Sequence, residues 1–352
     1  MTTTSTTMTA TSAKKMKGKS REVLEESVAA EIPAAKFLVH TDKKIRDKAF
    51  KSLVAFLSQG SGKIPEMEMT KLWKSLFYCF WMSDKPLVQQ AFANDLAELL
   101  LLINPSSELE NQDRNMDRFQ ASIDFLNGFW EAIVREWHGL DRLRIDKYLL
   151  LIRRYVNATF RLLARENWSI SSVEAVNSIL GGPHGPLTWQ DRKVPAGLAN
   201  HLADVYLEEL DKVLALPEVT SKSLCPLVLI LQPHITLLAR TPTPTIHSRL
   251  MMALFHPLLS ALNRASPIGE EHSEGEEPSA KRAKRDEPIY AHIIMHSTDG
   301  RELAGAEIGP GAGALKVAIL KAMFSAASDE HAVESNRRRV YVVWREENGD
   351  DD

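Results

Sequence analysis

FLNGFWEAIVREWHGLDRLRIDKYLLLIRRYVNATFRLLAR, residues 125–165, decides the fold. It reads as two long helices broken by one turn at His138 and Gly139. In the first, Phe125, Phe129, Trp130, Ile133, Val134 and Trp137 recur at helical spacing. Gly139 is the expected left-handed stop, because glycine takes a positive φ without strain. Asp141 then offers a carboxylate to cap the next helix. That second helix is apolar and basic together. Positions 142–165 hold seven cations (Arg142, Arg144, Lys147, Arg153, Arg154, Arg161 and Arg165) against one acid, Asp146.

The spacing predicts further helices on both sides. Toward the N-terminus they cover residues 23–39, then 42–59 with Thr41 or Asp42 as cap, then 66–82 after Pro65. A fourth spans residues 84–103, with Ser83 and Asp84 capping and Pro86 in its first turn. Toward the C-terminus they cover 171–180, 196–215, 220–239 with Pro226 and Pro233 as first-turn and kinking prolines, and 244–262. A shift of 42 residues lays Asp42, Lys43, Ile45, Ala49, Phe50 and Leu57 on Asp84, Lys85, Leu87, Ala91, Phe92 and Leu99. A period of this length with paired helices is the signature of HEAT- or armadillo-like stacking. The fold class expected is therefore all-α, of stacked helical hairpins, carrying a disordered linker and a small C-terminal β-containing segment.

Five regions follow from composition. Residues 1–20 read as a disordered basic tail and 21–263 as the helical domain. Residues 264–288, with almost no large apolar side chains and alternating charge blocks, read as a linker. Residues 289–345 read as a strand, a helix and a strand, with Val340, Val342 and Val343 in the second strand; residues 346–352 are an acidic tail.

The chain has 352 residues, 44% of them hydrophobic, and a net charge of -3, so any basic function is local. Two cysteines, Cys79 and Cys225, both in apolar runs, point to a reducing compartment and against a disulfide scaffold. No stretch is long and apolar enough to predict a membrane helix, and no secretory signal is expected. None of the 11 histidines has a metal-site spacing. His292 and His296 are four apart but fall in an expected strand. Gly309, Gly311 and Gly313 do not follow a strand directly, as a dinucleotide loop requires, and there is no phosphate-binding loop. No enzyme activity, cofactor, metal or small-molecule substrate is expected.

Two features carry function instead. Lys281, Arg282, Lys284 and Arg285 form a compact basic run in the linker, of the kind an import receptor reads. Ser266 and Ser273 are candidate phosphorylation sites beside it. On the second long helix, Lys147, Arg154, Arg161 and Arg165 are spaced to share a face. That face suits an RNA backbone. Equally, it suits acids of a partner protein or of neighbouring helices, with Glu131, Glu136, Glu208 and Glu209 as candidates.

Four blocks of the sequence also carry a resemblance. FLVHTDKKIRDKAFKSL, LWKSLFYCFWMSDKPLVQQAFANDLAELL, FWEAIVREWHGLDRLRIDKYLLLIRRYV and HLADVYLEELDKVL, in this order over residues 37–214, resemble the nucleolar ribosomal-RNA-processing protein 1 family. The resemblance implies a non-catalytic helical factor of the nucleus and nucleolus, acting in precursors of the large ribosomal subunit. It implies partners among other assembly factors, with pre-ribosomal RNA as a candidate, and a role in processing around the second internal transcribed spacer. The chain is similar to the shorter fungal form, without the lysine-rich extension of animal members. The residues alone leave a second reading open, a nuclear peptide-binding adaptor for transport or signalling.

Overall fold

The computed structural model describes residues 32, 35–60, 63–105, 111–220, 223–266, 289–299 and 311–348. A short 3₁₀ turn, Ala35–Val39, precedes α1 (Lys43–Ser58), α2 (Glu66–Trp81), α3 (Pro86–Leu102), α4 (Asn111–Glu136) and α5 (Ile145–Arg165). Then come α6 (Ile170–Gly181), α7 (Ala196–Leu214), α8 (Pro217–Thr220), α9 (Leu227–Arg240), α10 (Pro244–Leu250) and α11 (His256–Ala265). The described chain ends with α12 (Ala291–His296), α13 (Ala312–Ser328) and α14 (Glu334–Asn348).

The helices alternate between two layers. In one, α1 packs on α3, α3 on α5, α5 on α7 and α7 on α10; in the other, α2 packs on α4, α4 on α6, α6 on α9 and α9 on α13. This is the stacked-hairpin arrangement expected of the sequence. Within the first layer neighbours run parallel, because each belongs to a successive hairpin. Thus Lys147 and Tyr155 of α5 reach Ser83 and Leu96 beside and within α3, and Arg165 reaches Leu101 at its far end.

The 42-residue repeat survives in part. Phe50 and Phe92 meet edge to face at 4.9 Å, and Leu57 and Leu99 are both buried. Ala49 is buried as a close-approach residue would be, whereas Ala91 is exposed. The core is richest where α2, α4 and α5 converge. Phe129 stacks on Tyr155 at 3.7 Å, Phe77 stacks on Tyr148, and Trp73 sits edge-on to Phe129. Each ring with a polar atom finds a partner. Trp73 Nε1 donates to Phe125 O at 2.9 Å, Tyr148 OH to Phe77 O at 2.8 Å and Tyr155 OH to Leu96 O at 2.6 Å. Such rings bury hydrophobic area without stranding a donor. Gly128 allows the α2–α4 approach, since a Cβ there would lie 2.4 Å from Trp73 Cδ1.

Several local expectations are corrected. Asp42 does cap α1, accepting from Lys44 N at 2.8 Å. Ser83 and Asp84 do not cap α3, whose N-cap position is Lys85 without a side-chain bond; their carbonyls accept from Gln89 Nε2 instead. Gly139 is not left-handed. The chain leaves α4 through a 3₁₀ turn, Trp137–Gly139, closed by Leu140 N to Trp137 O. Asp141 binds the loop rather than the helix end, accepting from Leu143 N at 3.0 Å and from Arg144. The helix expected over 220–239 starts only at Leu227: Pro226 stands before it at the N-cap and not in its first turn, while Pro233 lies inside it, as expected. The run from Pro244 continues through a π turn, Met251–Phe255, directly before Pro257, where a proline's missing N–H and bulky ring are accommodated.

The largest correction concerns the C-terminal segment, which is helical. The expected strand at 339–344 lies inside α14. Its β-branched and aromatic run resembles a strand, but only Asn336 and Val340 are buried, one helical turn apart. The expected strand at 289–296 is mostly α12, which starts after Tyr290 turns left-handed at φ 61°. Among the described residues the β-structure is a two-residue parallel pairing, β1 (Cys225–Pro226) with β2 (Ser297–Thr298). Moreover, α13 packs on α9 and α11, and α14 on α13 and α9, so these helices continue the stack. Helix α11 runs one residue past the expected linker start, to Ala265, and α14 runs into the expected acidic tail. The 1–20 tail and residues 267–288 lie outside the described residues, as do Ser273 and the basic run Lys281, Arg282, Lys284 and Arg285.

Candidate partner-binding surface

The cations of α5 do not make a continuous solvent face; the structure places most of them in internal work. Lys147 is only 5% exposed. Its Nζ donates to Phe80 O at 2.9 Å, Trp81 O at 2.7 Å and Ser83 O at 2.9 Å. All three lie where α2 ends; Phe80 O also accepts from Ser83 N and Ser83 O from Gln89 Nε2, so Lys147 adds to the C-cap from another helix. Burial, with the Arg144 charge adding to it, pulls the Lys147 ammonium down to about 8.

At the opposite end of α5, Arg165 Nη1 donates to Leu101 O at 3.2 Å, and Arg118 of α4 donates to Leu101 O and Ile103 O. The C-terminus of α3 is thus closed by two arginines. Between these ends, Arg161 pairs with Glu98 of α3 through both terminal nitrogens. Arg153 pairs with Glu208 and Glu209 of α7. Glu209 is 1% exposed and also accepts from Asn157 and Lys212. Burial opposes its charge, but the bonds from Lys212 and Arg153 outweigh this and hold its carboxyl below the ordinary glutamate range. Arg154 is half-buried, and its Nε has no partner.

The sequence's acid candidates therefore divide. Glu208 and Glu209 do receive an α5 arginine, whereas Glu136 takes Arg135 and Tyr78, and Glu131 takes Asn127. The acid on α3, Glu98, carried no signal in the sequence, because only the packing brings it opposite Arg161.

What remains exposed lies at the N-terminal end of the α3–α5 pair. Here the α4–α5 loop is held on every side. His138 Nε2 lies 3.1 Å from Lys193 O, Leu140 packs on the core, and Arg144 pairs with Asp141 and stacks over Trp81 at 4.4 Å. Two side chains in this fixed loop have no internal role. Arg142 is exposed and unpaired among the described residues, and Leu143 is 89% exposed. Leu87, at the start of α3, is 80% exposed. Among the described residues these are the two most exposed large apolar side chains, and the parallel packing of α3 and α5 sets them at one end of the layer. Lone exposed leucines are common. Both stand at the end of the layer that Lys147 ties together, and are candidate contact residues.

The histidine pair changes character as well. On α12, His292 and His296 share a helix face, their rings 6.2 Å apart and nearly parallel. Among the described residues no group of three or more His, Cys, Asp or Glu has metal-site geometry, and no helix is long and apolar enough to cross a membrane. Ser266 closes α11, and its Oγ is buried without a hydrogen bond, near Gly313.

A family profile described as nucleolar protein, Nop52, matches residues 29–341. The chain belongs to the Nop52 nucleolar protein family. That match takes in α1 to α13 and the greater part of α14, including the segment read from sequence as strands. Relatives bear out the assignment. The human protein named ribosomal RNA processing protein 1 homolog B is 36% identical over 188 residues, covering 52% of this chain and 23% of that protein. The human homolog A is 28% identical over 340 residues, covering 90% of this chain and 69% of that protein. The Drosophila melanogaster homolog is 28% identical over 215 residues, covering 60% of this chain and 28% of its own length. The chain thus spans about a quarter of homolog B and about two thirds of homolog A. Among its described residues the Nop52-family chain is of the all-α class, and the REWHGLDRLRIDKY block runs from the end of α4 into α5 through the loop that carries Arg142 and Leu143.

Proposed function

We propose that this chain is a non-catalytic assembly factor for the large ribosomal subunit, required for pre-ribosomal RNA processing in the nucleolus. Family membership and the names of its relatives support the setting. The observation that supports a scaffold role is the rigid end surface formed by Leu87, Arg142 and Leu143. An apolar pair beside an unpaired arginine fits a protein surface with an apolar socket and a carboxylate at its rim. The partner proposed is another protein of the precursor particle. Of the cations at 142–165, Arg142 is the exposed and unpaired one available to it; Arg154 is half-buried, and Arg144, Lys147, Arg153, Arg161 and Arg165 act by fixing the surface. The basic run Lys281, Arg282, Lys284 and Arg285 supplies the import signal; the Ser266 hydroxyl is buried, which leaves Ser273 as the proposed modification site.

The test is affinity purification of the tagged full chain beside a Leu87→Ser, Leu143→Ser variant. Large-subunit precursors should be recovered with the parent and lost with the variant, while the circular dichroism melt is unchanged. Depletion should accumulate large-subunit precursor RNA. Recovery of import or signalling proteins in place of precursors would establish the adaptor reading. Replacing the four cations of the basic run with alanine should move the protein to the cytoplasm.

A further inference from the structure

A second surface lies on α13 and α14, where the sequence suggests strands. Helix α14 ends the described stack and buries little. The outer face of such a terminal helix is ordinarily polar. Here three rings line the seam between the two helices instead. Phe324 is 37% exposed and stacks on Tyr341 at 4.8 Å with 20° between the planes, and Trp344 lies 5.2 Å from Phe324. The inner face of α13 already fills its share of the core with Leu315, Ile319, Leu320 and Met323. Tyr341 and Trp344 pack at the edge of the core, with the Tyr341 hydroxyl 3.0 Å from Ser328 Oγ, while Phe324 lies outside it.

Cations edge these rings at helical spacing. Lys321 stands one turn before Phe324, Arg338 one turn before Tyr341, and Arg345 one turn after it and next to Trp344. Lys321 and Arg345 are exposed and unpaired among the described residues. Arg338 is 77% exposed in its side chain and shares Glu334 with Arg337. Glu347 is occupied by Lys316 and Asn263, and Glu346 is exposed. Partly exposed rings edged by cations, two of them unpaired among the described residues, on a chain of net charge -3, favour a ligand that brings both flat faces and negative charge.

We infer that the α13–α14 seam binds single-stranded RNA, a base stacking on the Phe324–Tyr341–Trp344 cluster while Lys321, Arg338 and Arg345 hold the phosphates. Base stacking on aromatic rings with cations tracking the backbone is the physics of sequence-tolerant single-strand binding. An acidic protein surface meets the cations but leaves the flat ring faces without a matching partner. The inference deepens the proposed role only in naming the RNA as pre-ribosomal; binding itself is independent of that role.

The test is fluorescence anisotropy of the purified full chain with a labelled 12-nucleotide oligouridine, against a 12-base-pair RNA duplex and polyglutamate as competitors. The single strand should bind best. Lys321→Gln with Arg345→Gln should weaken it roughly tenfold and reduce the slope of log affinity against log salt by about 1.4, two phosphate contacts at about 0.7 each. Phe324→Leu, which keeps the packing volume but removes the ring, should weaken it at least about fivefold with little change in slope. No binding, or binding unchanged in the charge variant, overturns the inference. So does full displacement by polyglutamate at equal charge, which would assign the seam to an acidic protein. RNA binding without recovery of precursors in the affinity purification would uphold the seam and overturn the assembly role.

Discussion

Replacing Lys147 with methionine should cost this protein a substantial part of its stability. The substitution keeps the linear stem, so packing along α5 is nearly unchanged. What it removes are the three bonds to Phe80 O, Trp81 O and Ser83 O. Charged hydrogen bonds contribute about 1.5–3 kcal/mol each, or roughly 4.5–9 kcal/mol for three. Against this, keeping the ammonium out of water costs about 3 kcal/mol, from its fall from 10.5 to about 8 at about 1.4 kcal/mol per pH unit. Water reaching the turn at Ser83 recovers some of what is lost, so the expected net loss is about 2–4 kcal/mol. Urea denaturation at pH 7, followed by circular dichroism, measures it. A pH series gives a second reading. Between pH 8 and 10.5 the folded parent sheds a proton that the unfolded chain keeps, so its stability rises with pH by up to about 3 kcal/mol relative to Lys147→Met. A variant within about 0.5 kcal/mol of the parent at pH 7 would refute the capping role, and parallel pH curves would refute the burial of the charge.

His234 is fully buried against Tyr206 with neither ring nitrogen bonded, and burial pulls it down to about 3. His234→Leu should stabilise by about 1–2 kcal/mol at pH 7. It should also remove a loss of stability that the parent suffers as pH falls from 6.5 toward 3, where only the unfolded chain takes up the proton; acid melts of the two proteins decide. Gly128→Ala should lower stability by about 2–3 kcal/mol, because its Cβ would collide with Trp73 between α2 and α4; thermal melts report it, and an unchanged midpoint would show that the indole moves freely. Arg153→Met leaves the buried Glu209 carboxylate with Lys212 and Asn157 alone, an expected cost of about 2 kcal/mol. Since the Glu209 carboxyl titrates low, its contribution is full above about pH 4.5 and fades as pH falls through the lowered value; a parent–variant gap that does not narrow on acidification would contradict the pairing.

How much of this was legible in the sequence depends on whether one stretch of chain contains the answer. The helices from residue 42 to 262 were, because apolar period, Asp42 and the first-turn prolines are local signals. The two-layer stack was legible through the Phe50–Phe92 equivalence. Spacing also set the α5 cations at helical intervals, but spacing says nothing of what covers a face. Glu98, Glu209 and the end of α2 lie more than 50 residues from their partners. The α14 helix was misread because Val340, Tyr341, Val342 and Val343 favour strands by propensity. Its one buried turn, Asn336 with Val340, is visible only once α9 and α13 lie beneath it. With that misreading went the aromatic seam, since rings at positions 341 and 344 share a helix face but oppose one another on a strand.

The lysine bridge has a consequence for timing. Lys147 and its three acceptors are 64 to 67 residues apart in the chain. A ribosome making this protein releases the α2–α3 turn first, and the lysine's bonds to that turn wait for α5. Until then nothing braces the turn against the Leu143 loop. A chain whose synthesis has not passed α5 therefore cannot carry the end surface in its braced form.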